Sequence, residues 1–475
     1  MNSSQNIVKN MIWLFIGGFV SSILSVILSI SIARFLGDVI FGGYSFVIAF
    51  VALFSIFLDL GYETLLIRDV AKDKLKASTY LNNIISIRIV LSILIFSVIF
   101  LLINILNFPE NIKILIYLFG ISQIIVSLAN VFRVTFRAFE RMDYEAEVNI
   151  FTNILRCSAG LLLLFLGYGI IEIALVFLYS SIIDLFISFL ICEKKFVRIK
   201  TQFDLTFFKN TIKIALPIGA VAIFGLIFVR IDTVMLGFMK GDAVVGWYNA
   251  AYALIFGFSP IPLIVMNALL PFMAYTYTKS KSSLREVYEK SFKFLFLLGL
   301  PITIGTCLLA DKFIFLFYGQ DFLNSVTALR VLSFDILLKF LYLCIWFVLI
   351  SANKQNKLVI ITGGGALLNI VLNLFLIPEF SLVGASIATI ITEIFILFMY
   401  LYLASVNNLK IPIIKIIFKP LIACSAMIFF IYYFSNLNLY LIVFISIIVY
   451  FLIFYILKGF SKDEITLMKK LIRRD

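Results

Sequence analysis

Apolar runs of about 20 residues, the length that crosses the hydrocarbon of a bilayer, follow one another along the whole chain, separated by short polar breaks. They fall near residues 10–33, 39–60, 79–106, 112–137, 145–167, 170–192, 211–237, 244–272, 291–311, 325–350, 357–377, 382–404, 412–434 and 438–458. The pattern predicts about fourteen membrane helices and no strand-type alternation. The run from Met11 to Ala33 follows Lys9, is longer than a signal-peptide core and lacks a small-residue cleavage pattern. It reads as the first membrane helix.

Polar breaks carry a repeat. Gly37-Asp38, Gly42 and Tyr44 have the same spacing as Gly241-Asp242, Gly246 and Tyr248, each set directly after a long apolar run. Self-similarity of this kind points to duplication. Six spans lie between the copies, so both stand on the same face of the membrane and the two halves share one orientation, a parallel transporter repeat. The longest break, Glu193 to Lys213, separates the halves and carries Lys194, Lys195, Arg198, Lys200 and Lys209. The expected organisation is an all-α polytopic membrane protein: a lobe over 1–200 with helices 1–6, a second over 201–405 with helices 7–12, and helices 13–14 with a basic tail over 406–475.

Composition agrees with this reading. Of 475 residues, 63% are hydrophobic and 14% charged, with mean hydropathy +1.12; soluble domains are nearer half apolar. The net charge of +13 fits positive cytoplasmic loops and not a nucleic-acid partner. About 29 of the 39 Lys and Arg fall in alternate breaks and termini, against about 4 on the other side (Arg34, Lys113, Lys240, Lys312). Both termini are therefore expected in the cytoplasm, with the protein in the cell membrane. Cys157, Cys192, Cys307, Cys344 and Cys424 lie singly in apolar runs, and histidine is absent. No metal site, cofactor or His-based catalytic pair is predicted. Gly363-Gly364-Gly365 lies in a span, where small residues permit close helix packing.

Ionisable side chains at membrane depth mark a pathway or a buried partner. Arg88, Arg156 and Arg230 stand at stepped depths, suited to an anion crossing, because guanidinium grips phosphate through paired donors; the competing reading is helix-to-helix ties. Arg133, with Arg137 just beyond, lies near the inner end of its helix; it can snorkel, and it joins the candidate cavity cations. Arg330 can snorkel at the outer end of its span. Asp232, Asp184 and Glu393 are candidate coupling or cavity carboxylates. Asp335 and Lys339, one turn apart, are expected to form a structural ion pair. Pro217, Pro260, Pro262, Pro271 and Pro301 cluster in helices 7 to 9. Pro217, Pro260 and Pro262 are candidate hinges.

Several segments together resemble the polysaccharide flippases of the multidrug/oligosaccharidyl-lipid/polysaccharide export superfamily. These are Asp232-Thr-Val-Met-Leu-Gly with Val245-Gly-Trp-Tyr-Asn-Ala-Ala-Tyr, and Asn369-Ile-Val-Leu-Asn373 with Leu376-Ile-Pro378 and Val383-Gly-Ala-Ser-Ile-Ala-Thr389. Earlier in the chain stand Leu36-Gly37 with Phe41-Gly-Gly-Tyr44, Asp59-Leu-Gly-Tyr with Arg68-Asp-Val-Ala, and Arg137-Ala-Phe-Glu-Arg141. The resemblance covers about residues 7 to 405. It implies two six-helix lobes around a cavity that opens alternately to each side, with a lipid-linked sugar as cargo. The arginines are read from depth and not from the resemblance.

The expected activity is flipping of a polyprenyl-phosphate- or pyrophosphate-linked oligosaccharide to the outer leaflet, with no covalent chemistry. Lipid-linked oligosaccharide and membrane lipids are the expected partners, polysaccharide-assembly proteins are candidates, and a monomer is expected. The alternatives are a cation-coupled multidrug exporter of the same superfamily, which calls for unpaired cavity carboxylates, and a lipid II flippase. A membrane polymerase or ligase would need a larger outer loop than any here.

Overall fold

The computed structural model describes residues 3–200 and 202–460; the end of the basic tail, with Arg473, lies outside them. The described residues contain helices and no strand. In chain order these are α1 (Ser3–Ser55), α2 (Tyr62–Lys72), α3 (Ala77–Ile105), α4 (Glu110–Ala138), α5 (Met142–Phe165), α6 (Ile170–Lys195), α7 (Leu205–Lys240) and α8 (Asp242–Phe256). There follow α9 (Pro260–Lys279), α10 (Lys281–Leu308), α11 (Ala310–Tyr318), α12 (Ser325–Ser351), α13 (Gln355–Val406), α14 (Ile413–Tyr433) and α15 (Leu439–Ile456).

Twelve stretches among the described residues are long and apolar enough to cross a membrane. Two of them, Ile16–Leu58 with 43 residues and Gln355–Val406 with 52, are about 65 and 78 Å long at the helical rise, twice a bilayer's need. Each is broken near its middle, at Gly37 (φ 81°, ψ 175°) and at Ser381 (φ 55°, ψ −132°). Each thus supplies two passes, which gives about fourteen. The protein is a multi-pass membrane protein.

Local chemistry sets the helix ends. Asp204 accepts hydrogen bonds from the Thr206 and Phe207 N–H groups at the start of α7, and Asn438 caps α15 through Tyr440 N–H, each satisfying donors that an exposed first turn leaves open. Pro260 opens α9 after the break at 257–259, the position where a missing N–H does no harm. Helix α7 continues through Pro217. With 11 residues, α2 is too short to span. It buries Tyr62, Leu65, Leu66 and Val70 on one face against Leu81 and Ile84 of α3, Phe136 of α4 and Ala215 of α7, while Arg68 and Lys72 are on its outer face.

Packing divides the chain into two compact units, Met1–Ala253 with Thr362–Ala385, and Leu254–Ile361 with Ser386–Asp475. In the first, α4 packs on α6 and α1 on α5, and α7 joins α1 and α2. Glycines make that junction. Gly37 and Gly241, the paired positions of the repeat, share one conformation (φ 81°, ψ 175° and φ 85°, ψ 177°), a region that only glycine occupies readily. A methyl group on Gly42 would overlap the Asp242 carbonyl, and one on Gly246 would overlap the Asp38 carbonyl. Each copy of the motif therefore seats its glycine on the other's aspartate carbonyl, a reciprocal contact. A second seam joins Gly61 to α7, where Gly219 meets the 60–61 backbone. In the second unit α10 packs on α12 and α14, and α14 on α15. Tyr450 Oη donates to the Leu297 carbonyl at 3.0 Å, fastening α15 to α10.

Candidate functional site

Three helices of the first unit, α4, α5 and α6, place polar side chains around a cavity of about 200 Å³. Arg133 of α4 is 8% exposed. Its Nη1 donates to Asp184 Oδ2 of α6 at 2.7 Å and to Asn149 Oδ1 of α5 at 2.8 Å. Ser188, one turn beyond Asp184, donates to Asp184 Oδ1 at 3.1 Å. Arg133 does not snorkel: the carboxylate and amide within reach hold its head inside the bundle, where a lone charge would be costly.

Arg156 of α5 lies on the same cavity, half-buried. Its Nε donates to Ser180 Oγ at 2.9 Å, and its guanidinium stands over the Phe177 ring at 4.7 Å. It makes no ion pair among the described residues. An adjoining space of about 90 Å³ shares Asn153, Arg156 and Phe177 and adds Tyr44. Arg230 of α7 also lies within electrostatic range of Tyr44. Arg230 is half-buried, has no ion pair among the described residues, and keeps a buried Nε without a hydrogen-bond partner. Arg133 and Arg156 thus share the cavity with one carboxylate, Asp184, and Arg156 and Arg230 both act on Tyr44. Positive charge is in excess. Asn149, Asn153, Gln123, Ser122 and Thr152 complete the polar lining.

Arg88 stands apart from this group. It is 1% exposed, and its Nη2 donates to Asp59 Oδ1 at 2.6 Å and Glu63 Oε1 at 2.9 Å. Its Nη1 donates to the Ser127 carbonyl of α4, and Asn130 of α4 donates to the same Glu63 oxygen. Two carboxylates at the start of α2 are tied through one guanidinium to α3 and α4. The pairing joins positions 25 and 29 residues apart; Asp59 stands at the end of the apolar run 39–60 and Glu63 in the break that follows.

Asp232 of α7 is 2% exposed. It accepts from Tyr248 Oη at 2.8 Å and from Asn373 Nδ2 at 2.6 Å, and Asn373 also donates to Asn369 Oδ1 at 3.0 Å. The residues that carry the family resemblance in α7, α8 and α13 therefore meet in one hydrogen-bonded knot. Glu393, Asp335 and Lys339 belong to the second unit. Lys339 Nζ donates to Asp335 Oδ2 at 2.6 Å, and Glu393 is fully buried. Arg330 is exposed. Among the described residues no group of three or more His, Cys, Asp or Glu side chains is arranged to hold a metal.

Depth along the helices separates Arg133 from the other cavity cations and cannot show which helices face each other. Asn149, Ser180 and Phe177 lie on the neighbours of Arg133 and Arg156 and carry no charge, so a scan for ionisable groups passes over them. Tyr44 was visible as part of the repeat, where its role was positional.

Comparison with known proteins bears on the same segments. A family model described as polysaccharide biosynthesis protein matches residues 7–277, more than half of the chain, and one described as MatE matches 217–375. The capsular polysaccharide biosynthesis protein CapF of Staphylococcus aureus is 22% identical over 406 residues, covering 83% of this chain and 98% of CapF. Among solved structures, lipid II flippase MurJ in an inward closed conformation superposes with a TM-score of 0.80 at 19% identity, covering 94% of this chain and 98% of MurJ. An inward-facing multidrug transporter of the MATE family gives a TM-score of 0.66 at 15% identity, covering 84% of this chain and 98% of that transporter. At those identities the structural likeness speaks for the fold. The chain belongs to the polysaccharide biosynthesis protein family, with the fold of transporters of the multidrug/oligosaccharidyl-lipid/polysaccharide export superfamily.

Proposed function

We propose that the protein flips a polyprenyl-phosphate- or pyrophosphate-linked oligosaccharide from the cytoplasmic to the outer leaflet of the cell membrane by alternating access. The observation that carries this reading is the excess of guanidinium over carboxylate at the cavity of α4, α5 and α6. Arg156 has a planar donor face and no ion pair to satisfy it, which suits a phosphate group. The amide and hydroxyl side chains beside it suit sugar hydroxyls. Arg133 on the same cavity and Arg230 within electrostatic range of Tyr44 supply further positive charge, and Arg88 holds the α2 turn in place. The lipid chain stays in the bilayer. With the cell interior negative, outward movement of an anionic head is favoured by about 2.3 kcal/mol per charge per 100 mV.

Alternating access is supported by the two glycine seams. Each brings backbone against backbone, with apolar side chains packed beside it, Phe46 and Phe50 against Phe238 at the first and Tyr62, Leu65 and Leu66 with Ala215 at the second. The two six-helix repeats, 1–200 and 201–405, are the moving parts, and Pro217 of α7 with Pro260 and Pro262 of α9 supply the bend. Both termini lie in the cytoplasm; reporters at residues 282 and 240 should read opposite sides, cytoplasmic and external.

The test is complementation of a flippase-deficient strain, scored for surface polysaccharide at matched protein level. Arg156→Ala should abolish export and Arg156→Lys should restore it in part, because Lys keeps the charge and loses the planar fork. Full export by Arg156→Ala would sink the anion-cavity reading. A cation-coupled drug exporter is the second reading, favoured by the buried, hydrogen-bonded Asp232. It predicts the reverse: tolerance of Arg156→Ala and failure of Asp232→Asn in drug efflux.

A further inference from the structure

The second unit holds a buried polar cluster that the flipping step does not use. Asp335 and Glu393 are fully buried and Lys339 is 8% exposed. Asp335 stands about 15 Å along α12 from its first residue and Glu393 about 18 Å along α13 from the break at Ser381, so both are deep in their spans. Lys339 Nζ satisfies one oxygen of Asp335, Oδ2, at 2.6 Å. The other oxygen, Asp335 Oδ1, and both oxygens of Glu393 receive no hydrogen bond from any described donor. The two carboxyl groups lie within hydrogen-bonding reach of each other. Asp335 and Lys339 are the charged groups that act on Glu393. Tyr288 of α10, Tyr318 of α11, Cys344 of α12 and Tyr400 of α13 are further titratable side chains buried in this unit.

Charge and donors do not balance as they stand. With both carboxyls ionised the cluster is net −1 in a dry interior, with three acceptor atoms unanswered, an arrangement that costs several kcal/mol. One added proton removes the imbalance. A protonated Glu393 donates its O–H to Asp335 Oδ1, Asp335 stays ionised against Lys339, and the cluster is neutral. A metal cation would meet the Lys339 ammonium at the same carboxylate, and the described residues offer no third ligand of the usual kind.

We propose that Asp335, Lys339 and Glu393 form a proton-binding site that holds one proton on Glu393, shared with Asp335, and exchanges it with water when the surrounding helices open. Loading moves one proton from water to a Glu393 oxygen. Release returns it to water and leaves the cluster at −1, a state tolerated only while water reaches it. Proton exchange is thereby tied to conformation, and its use in driving transport rests on the flippase reading, whereas the site itself does not.

Infrared spectroscopy of the full-length protein in lipid nanodiscs tests the site directly. A protonated-carboxyl C=O band should be present at neutral pH, vanish in Glu393→Gln, and shift in position in Glu393→Asp and Lys339→Met. A spectrum left unchanged by Glu393→Gln and by Glu393→Asp overturns the proposal. Loss of the band on adding sodium at constant pH also overturns it, in favour of a cation site. The transport arm is read separately in proteoliposomes. If one proton is exchanged per cycle, the steady-state distribution of flipped lipid should move about tenfold per pH unit of imposed gradient, and Glu393→Gln should abolish that dependence. A wild-type distribution indifferent to the gradient overturns the coupling. Absence of any flipping counts against the cargo and leaves the infrared result standing.

Discussion

The two buried charge clusters of this protein share their ingredients and differ in proportion. In the first unit two guanidiniums and one carboxylate, Arg133, Arg156 and Asp184, face a cavity of about 200 Å³ lined with amides and hydroxyls. In the second, two carboxylates and one ammonium, Asp335, Glu393 and Lys339, sit fully or nearly buried with three oxygens unanswered. A surplus of positive charge beside open polar space leaves room for an anionic group to complete the site. A surplus of negative charge on buried oxygens that no donor answers calls for something as small as a proton. Arg88 adds the control case: two carboxylates and one guanidinium, with Asp59 and Glu63 about a quarter exposed, so water meets the remaining charge.

Perturbing these clusters separates their roles. The largest expected loss of stability follows Arg88→Ala, which strands two carboxylates; breaking a buried pair from one side costs about 3–5 kcal/mol. Thermal unfolding in detergent should show it, and adding Asp59→Asn with Glu63→Gln should recover part of the loss. If the single variant unfolds like wild type, the tie at α2 holds nothing together. Arg156→Ala should leave unfolding nearly unchanged while lowering transport efficiency by about 2 kcal/mol or more, roughly thirtyfold. Equal falls in stability and transport would make Arg156 a packing residue.

Gly42→Ala or Gly246→Ala should each cost about 1–3 kcal/mol, because the new methyl group has no space against the facing carbonyl. Cysteine pairs across the seam, read by cross-linking rate, should report its opening in these variants; an unchanged rate would mean that the seam yields without consequence. Pro217→Ala is expected to slow flipping more than it lowers abundance. Smallest of all, Arg198→Ala on the exposed loop should change either readout by no more than about 0.5 kcal/mol.

The contrast between the clusters was only half legible in the sequence. Apolar runs located the membrane passes because the bilayer imposes a length on each, and the Gly-Asp repeat singled out two glycines that adopt one backbone conformation (φ 81° and 85°). The ionisable residues at depth were likewise visible one by one. Their grouping was not, since position along a helix says nothing about which way a side chain points or which helix it meets. Arg133 looked free to snorkel, whereas Asp184, 51 residues on, holds it inside. Arg88 looked like a neighbour of Arg156, whereas its partners are Asp59, at the very end of an apolar run, and Glu63, in the break after it, where no membrane-depth charge was sought. Glu393 and the Asp335–Lys339 pair were noticed separately, and only packing shows that they share one cluster.

Reconstitution tests the central claim most directly: purified protein in proteoliposomes, supplied with a polyprenyl-pyrophosphate-linked oligosaccharide and, in parallel, with the same glycan on an uncharged lipid. The account predicts rapid translocation of the anionic lipid by wild type, little of the uncharged one, and loss of the difference in Arg156→Ala. Equal rates for both lipids, or an anionic rate unaffected by Arg156→Ala, would contradict it.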